Sequence, residues 1–341
     1  MRVIFLRLFL VLGSFAFALP SESPTSPEFS DLEYQIRLNS ISCVFDFKFT
    51  PAVKELILRQ VSERGKKTTE HILGMSEACF PIIDHALAQK GLPEHLRYVP
   101  WIESHFNPSA VSPKGAAGAW QFMPGTATLY GLKINRYVDE RLDLRKSSAA
   151  AARLFARLYL DYQDWALALA AYNCGSVRVN NAMKSANSKD YWEISKLLPN
   201  ETQLYVPRFI AAVYMGAFYQ QHQLQPTKLP EEYSATDTIM VHQAISFEKL
   251  SQKIGVPVET IKYLNPSFLL NTVPASTDGH AVTLPVRHIA AWRGHPTSTS
   301  YAGTALAELS APAEAPQEAR PAARTPVAAP VQFQKVASPN R

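Results

Sequence analysis

Glu103 stands where a carboxyl group can be tuned for proton transfer. A helical pattern running from Pro93 through the apolar positions Leu96, Val99, Ile102 and Phe106 stops at Asn107-Pro108. That places Glu103 in the last turn, flanked by Ile102 and Phe106 and followed by a loop. The negative end of the helix dipole and the apolar neighbours both disfavour the charged form, so both raise the pKa. A carboxyl group still protonated near neutral pH is what cleavage of a glycosidic bond needs from a general acid. Taken alone the position assigns nothing, because most glutamates at helix ends are surface residues. Pro100 removes a backbone donor and should kink the helix just ahead of Glu103.

A glycoside hydrolase usually pairs its acid with a second carboxylate, as nucleophile or as base for water. No acidic residue lies between Glu103 and Asp139. Asp139, Glu140 and Asp143 come next, in a stretch that reads as salt-bridged structure with Arg136, Arg141 and Arg145. Cysteine offers no better nucleophile. Cys174 has no histidine near it in sequence to form a Cys-His pattern and reads as a small buried residue. Cys43, Cys79 and Cys174 make no metal motif, and none of the nine histidines forms a recognisable ligand pair, so no metal or cofactor is expected. An odd cysteine count permits one disulfide and leaves at least one thiol.

The elements that must position these groups are mostly helical. Pro51 to Arg64 and Thr68 to Lys90 read as two helices, the second terminated by Gly91. Asn107 to Ala119, rich in Ser, Pro and Gly, reads as a loop or short hairpin before a helix from about Pro124 to Gly131. Ser147 to Gln163 carries Leu154, Phe155, Leu158, Tyr159 and Tyr162 on one face; Trp165 to Tyr172 is closed by Gly175; a further helix runs from Gln203 to Gln220. After Leu229-Pro230 the pattern changes to strand at Thr238–Val241, helix at Phe247–Ile254, a helical turn at Pro257–Leu264 and strand at Ala281–Val286. The fold class is therefore mostly α, with a small β-α-α-β module.

Four blocks, in order, carry a family resemblance. Ile102-Glu103-Ser104-His105-Phe106-Asn107-Pro108 resembles the Glu-Ser segment of family 1 lytic transglycosylases. Gly115-Ala116-Ala117-Gly118-Ala119-Trp120-Gln121 resembles their Gly-x-x-Gly-x-x-Gln block, Ala170-Ala171-Tyr172-Asn173-Cys174-Gly175 their Ala-Tyr-Asn-x-Gly block, and Leu198 to Thr202 with Tyr205-Val206 the fourth. Tyr137-Val138-Asp139-Glu140-Arg141 and Asp164-Trp165 are similar to the membrane-bound D group of that family. The resemblance implies an α+β lysozyme-like catalytic domain acting on peptidoglycan glycan strands. It implies Glu103 as acid and base, Ser112 and Gln121 along the substrate cleft, and Tyr172, Asn173 and Tyr205 positioning the sugar. It also implies how a lone glutamate suffices: the substrate's acetamido group and C6 hydroxyl replace a second carboxylate and water, leaving a 1,6-anhydro sugar. From the residues alone, Tyr172 and Tyr205 read equally as core, Asn173 as a helix-end residue, Ser112 as a turn residue and Trp120 as core or cleft wall. Cys174 and Ser176-Val177 depart from the common pattern. Thr236 to Pro285 resembles a degenerate LysM module, chiefly through Ser246 to Leu250 and Ile261 to Pro266, without the usual Gly-Asp turn. That leaves it a glycan binder or a structural appendage; as a binder it would raise local glycan concentration without joining the chemistry.

The organisation expected is a signal peptide over 1–18, an N-terminal lead-in over 19–50, the helical domain over 51–225, the module over 236–290 and a disordered Ala/Pro-rich tail over 303–341. Arg2 and Arg7 around an apolar run ending Ala16-Phe17-Ala18 suit signal peptidase. A retained anchor is the other reading, though the run falls short of the roughly 20 residues that span a bilayer. Either way the mature protein is expected outside the cytoplasm, in the periplasm or associated with the outer membrane or cell wall, peripherally where a membrane is concerned. A net charge of +5 suits an anionic polymer, whether cell wall, nucleic acid or lipid surface. Export, with no clustered Lys/Arg tract or nucleic-acid motif, argues against nucleic acid. The competing functions are a hydrolytic muramidase on the same fold and a catalytically silent wall-binding scaffold.

Overall fold

The computed structural model describes residues 29–41 and 44–293. The segments read as signal peptide and tail lie outside the described residues, as does Cys43.

Helix α1 (Asp31–Ser40) opens on a capping box: the Ser30 side chain accepts from the Glu33 amide and the Glu33 carboxylate accepts from the Ser30 amide at 2.8 Å. It falls inside the stretch read as lead-in, yet Tyr34 and Leu38 are buried in the main core. Helix α2 (Pro51–Val61) has Thr50 as N-cap and Pro51 in its first turn, where the missing N–H costs nothing. Helix α3 (Glu63–Ala88) follows after a single break at Ser62.

A 3-10 turn (Glu94–Tyr98) then leads into α4 (Val99–Ser104). The expected kink at Pro100 is instead a change of helix type: Pro100 occupies the first turn of α4, whose amides need no intrahelical partner. His105 and Phe106 are both left-handed, at φ 55° and 61°, and Phe106 is fully buried.

Helices α5 (Pro124–Leu129), α6 (Leu144–Tyr162) and α7 (Trp165–Cys174) follow the apolar pattern. Asp143 caps α6 and Asp164 caps α7 through their side chains. Helix α8 (Ser176–Ala186), which the sequence pattern did not announce, buries only Val179 and Ala182. Short helices α9 (Tyr191–Ile194) and α10 (Asn200–Gln203) precede α11 (Tyr205–Phe218), which is buried along nearly all of Tyr205 to Met215. One core draws on α1 to α9 and α11.

Past α12 (Glu231–Ser234), strand β1 (Thr236–Val241) pairs antiparallel with β4 (His280–Pro285), Thr236 opposite Pro285 and Val241 opposite His280. Between them lie β2 (Ile245–Ser246), α13 (Phe247–Ile254), α14 (Val258–Leu264) and β3 (Thr272–Val273), with β2 and β3 forming a second two-stranded pair. Helix α15 (Val286–Arg293) adds Ile289 and Trp292 to this β-α-α-β frame. A second core runs from Ile239 to Trp292 and includes one residue from far upstream, Val138. The architecture is mostly α with a small β region. Among the described residues no helix is long and apolar enough to cross a membrane.

Candidate active site

The chain enters the site through α4 and the turn that ends it. Ser104 donates to the Ala119 carbonyl at 2.8 Å, which ties the end of α4 to the glycine-rich block. The block owes its shape to a period of three: Gly115, Gly118 and Gln121 are all left-handed, at φ 82°, 82° and 50°. Ala117 pairs on one side with Val111 and on the other with Phe122. At Gly118 glycine is required twice over, because its φ is positive and a Cβ would run into the Arg141 carbonyl oxygen. Gln121, without that freedom, is held by its side-chain amide donating to Gly118 O at 2.8 Å and Ala110 O at 3.2 Å.

Glu103 is half-buried, and its Oε1 accepts a 2.5 Å hydrogen bond from the Tyr205 hydroxyl at the head of α11. Burial is the main cause that pushes its carboxyl up to about 7 from 4.5; the Tyr205 hydrogen bond and Arg208 pull it down, and the Glu201 carboxylate pushes it up. Tyr205 is itself buried, and its hydroxyl is held far above the ordinary tyrosine range, first by burial and then by the Glu103 charge. It therefore stays a donor. A carboxyl that titrates near neutrality exchanges a proton in either direction, which is what one group serving as acid and then base must do.

The sequence-derived residues separate by what they touch. Tyr205 meets Glu103 directly. Tyr172 lies near enough for the Glu103 charge to raise its pKa, which burial already raises further; it stacks on Phe155 with ring centroids 4.6 Å apart and donates to Trp120 O at 2.6 Å. Asn173 Oδ1 accepts from the Thr202 hydroxyl at 2.7 Å, joining α7 to α10. Ser112 and Gln121 bond within the glycine-rich block: the Ser112 hydroxyl accepts from the Ala116 amide at 3.0 Å. Trp120 is core, its indole donating to the Ser148 hydroxyl at 2.9 Å. Cys174 is half-exposed rather than buried; Cys79 is a buried free thiol pushed up to about 12 by burial. Ser104, Thr202, Glu201 and Arg208 also bear on the site, and the sequence pattern assigns none of them a role. The visible signal for the first was its place beside Glu103.

The downstream carboxylates are occupied. Asp139 pairs with Arg141 at 2.7 Å, Glu140 with Lys146 at 2.7 Å and with the Lys133 amide at 2.7 Å, and Asp143 caps α6 through the Lys146 amide at 3.1 Å. Of the expected partners, Arg136 makes none of these bonds, whereas Arg145 acts on Asp143 through its backbone amide and its charge. Among the described residues no group of three or more His, Cys, Asp or Glu is arranged to hold a metal ion.

Glu103, at the end of α4 and beside the Gly-x-x-Gly-x-x-Gln loop, falls within residues 80–195, which match the family model of the transglycosylase SLT domain. Residues 235–300 match the LysM-like domain of lytic transglycosylase MltD. The chain is homologous to membrane-bound lytic murein transglycosylase D of Escherichia coli K12, 32% identical over 207 residues, a match that takes in 59% of this chain and 44% of that protein. The chain thus spans less than half of that relative's length. A putative tributyltin chloride resistance protein of an Alteromonas species is 37% identical over 102 residues, 30% of this chain and 49% of that one. The 70 kDa soluble lytic transglycosylase of Escherichia coli aligns at 23% identity and TM-score 0.34, over 44% of this chain and 25% of that one. Tyr205 lies beyond the SLT match, although it closes the site.

Proposed function

We propose that the protein is a peptidoglycan lytic transglycosylase that cleaves the β-1,4 bond between N-acetylmuramic acid and N-acetylglucosamine without consuming water. Glu103 in its acid form protonates the bridging oxygen as the bond to C1 of the muramic acid breaks. The substrate's acetamido oxygen stabilises the developing cation. The resulting carboxylate, with Tyr205 donating to it, takes the proton from the C6 hydroxyl of the same sugar while that oxygen bonds to C1. Glu103 is left protonated for the next turnover, and the product is a 1,6-anhydro sugar. Holding the C6 hydroxyl in place supplies the advantage of an intramolecular reaction. Tyr172 and Asn173 position the sugar, and Ser112 and Gln121 shape the cleft wall.

The observation that carries this reading is the pairing of a near-neutral Glu103 with Tyr205, while Asp139, Glu140 and Asp143 are committed to ion pairs and a cap. Homology with a protein named membrane-bound and murein-acting supports a place outside the cytoplasm, at the cell wall or outer membrane, with the LysM-like module contacting peptidoglycan. The test is digestion of purified peptidoglycan strands in heavy-oxygen water, followed by mass analysis. Fragments should end in unlabelled 1,6-anhydromuramic acid, one water lighter than hydrolysis products. Reducing-end muramic acid carrying the heavy oxygen would establish a hydrolase, and an absence of cleavage a silent scaffold.

A further inference from the structure

The stretch Tyr137–Asp139 belongs to two structures at once. Its neighbours in sequence sit in the helical part, but Val138, only 4% exposed, packs into the second core with Phe268. The backbones of Val138 and Phe268 pair antiparallel; the Asp139 amide donates to Ser267 O at 2.9 Å and the Leu269 amide to Tyr137 O at 2.9 Å. This is a strand-like join rather than a loose side-chain contact.

From the join a chain of short bonds runs to the acid. The Asp139 carboxylate receives the Arg141 guanidinium at 2.7 Å, both side chains being about a tenth exposed. Arg141 Nη1 donates to Gly115 O at 2.7 Å and to Phe122 O at 3.1 Å, the two ends of the glycine-rich block, and the Arg141 carbonyl packs over Gly118. The block presents Ala119 O to Ser104 and Trp120 O to Tyr172, side chains at Glu103's own helix and beside it. A buried guanidinium that loses its carboxylate partner is costly to keep buried, so a shift of Asp139 is passed on to the loop.

We infer that the C-terminal module is a positioning element of the catalytic site: Phe268, through Val138 and the Asp139–Arg141 pair, sets the Gly115–Phe122 loop against Glu103. The inference rests on the reading of Glu103 as the acid, and it departs from the expectation that the module stands apart from the chemistry. Phe268, Val138, Asp139 and Arg141 are positioning residues; none touches the carboxyl group.

The test uses the full chain and a readout independent of cleavage. The Gly118 amide donates to Ala110 O and the Gln121 amide to Gly118 O, so hydrogen exchange at these two positions reports whether the loop is closed. Phe268→Ala should speed their exchange by about tenfold or more, Phe268→Leu should restore it, and Ile254→Ala, which trims the module's core on α13, should change it by less than about twofold. Val138→Ala, made from the helical side of the join, should reproduce the Phe268→Ala result if that variant fails to fold. On soluble glycan fragments both seam variants should lower kcat with little change in KM. Their basic limb should move to lower pH, because water admitted to Glu103 weakens the desolvation that raises its pKa while Tyr205, Tyr172, Glu201 and Arg208 still face it. Loop exchange unchanged in folded Phe268→Ala and Val138→Ala, or equally fast in Ile254→Ala, would overturn the inference. An inactive wild-type protein would instead defeat the proposed function, leaving exchange to decide this point.

Discussion

Replacing Glu103 with Gln should remove cleavage and, above neutral pH, make the protein more stable. The carboxyl titrates at about 7 in the folded chain and near 4.5 when free of the fold. Between those values the unfolded chain has released the proton and the folded chain still holds it, so stability falls as pH rises through the interval. Each pH unit is worth about 1.4 kcal/mol, so ionised Glu103 costs the fold up to roughly 3 kcal/mol by about pH 8. Glutamine keeps the size and the oxygen that accepts from Tyr205, and carries no charge to desolvate. In a folded body of this length the gain corresponds to a Tm higher by on the order of 5 °C. Calorimetry of both proteins from about pH 4 to pH 8.5 measures it; the two curves should converge at the acid end and separate through neutrality. A difference independent of pH, or a variant less stable than wild type at alkaline pH, would refute the burial argument for the raised pKa. Near-normal cleavage by folded Glu103→Gln would refute the acid assignment itself.

Two further substitutions test the groups around the acid. Tyr205→Phe removes the hydrogen bond that favours the carboxylate, so Glu103 should titrate higher; the basic limb of the pH–rate profile should move up, and kcat should fall by about ten- to a hundredfold for a lost bond to a charged group. An unchanged profile would reduce Tyr205 to packing. Glu201→Gln removes a like charge, so the basic limb should move to lower pH; the wild-type limb should move the same way in high salt, since Glu201 is exposed. A profile insensitive to both would remove Glu201 from the electrostatics of the site.

Much of this was legible because it rests on short-range physics. The helix-end position of Glu103, with apolar residues at its flanks, announced a raised pKa. The structure assigns most of that effect to burial, and the short α4 that carries Glu103 is unlike the longer helix the pattern suggested. The apolar face of Ser147–Gln163 and the Phe247–Ile254 helix were visible from periodicity alone. Helix α8 was not, because Ser176-Val177-Arg178-Val179-Asn180-Asn181 mixes β-branched and polar residues and buries one narrow stripe. Helix α1 lies in the stretch expected as lead-in: Ser30 and Glu33 form a capping box, but the Ser/Pro/Glu-rich residues just before it give the segment a linker-like composition. The left-handed Gln121 carries no sequence mark beyond its place in the three-residue period. Long-range choices were out of reach: nothing local to Arg141 says that it will hold Gly115 and Phe122, and nothing local to Val138 says that its side chain will join a core assembled more than a hundred residues later.

The hydrogen bond between Tyr205 and Glu103 joins residues 102 positions apart. A chain made from its N-terminus at about 5–20 residues per second therefore carries Glu103 for something like five to twenty seconds before Tyr205 exists. Through that interval α11 is missing, the carboxyl group is open to water, and it has the acidity of any exposed glutamate: ionised at neutral pH and unable to donate a proton to a sugar. The proton donor is thus completed late along the chain: until α11 packs, Glu103 lacks the burial and the Tyr205 partner that set its acidity.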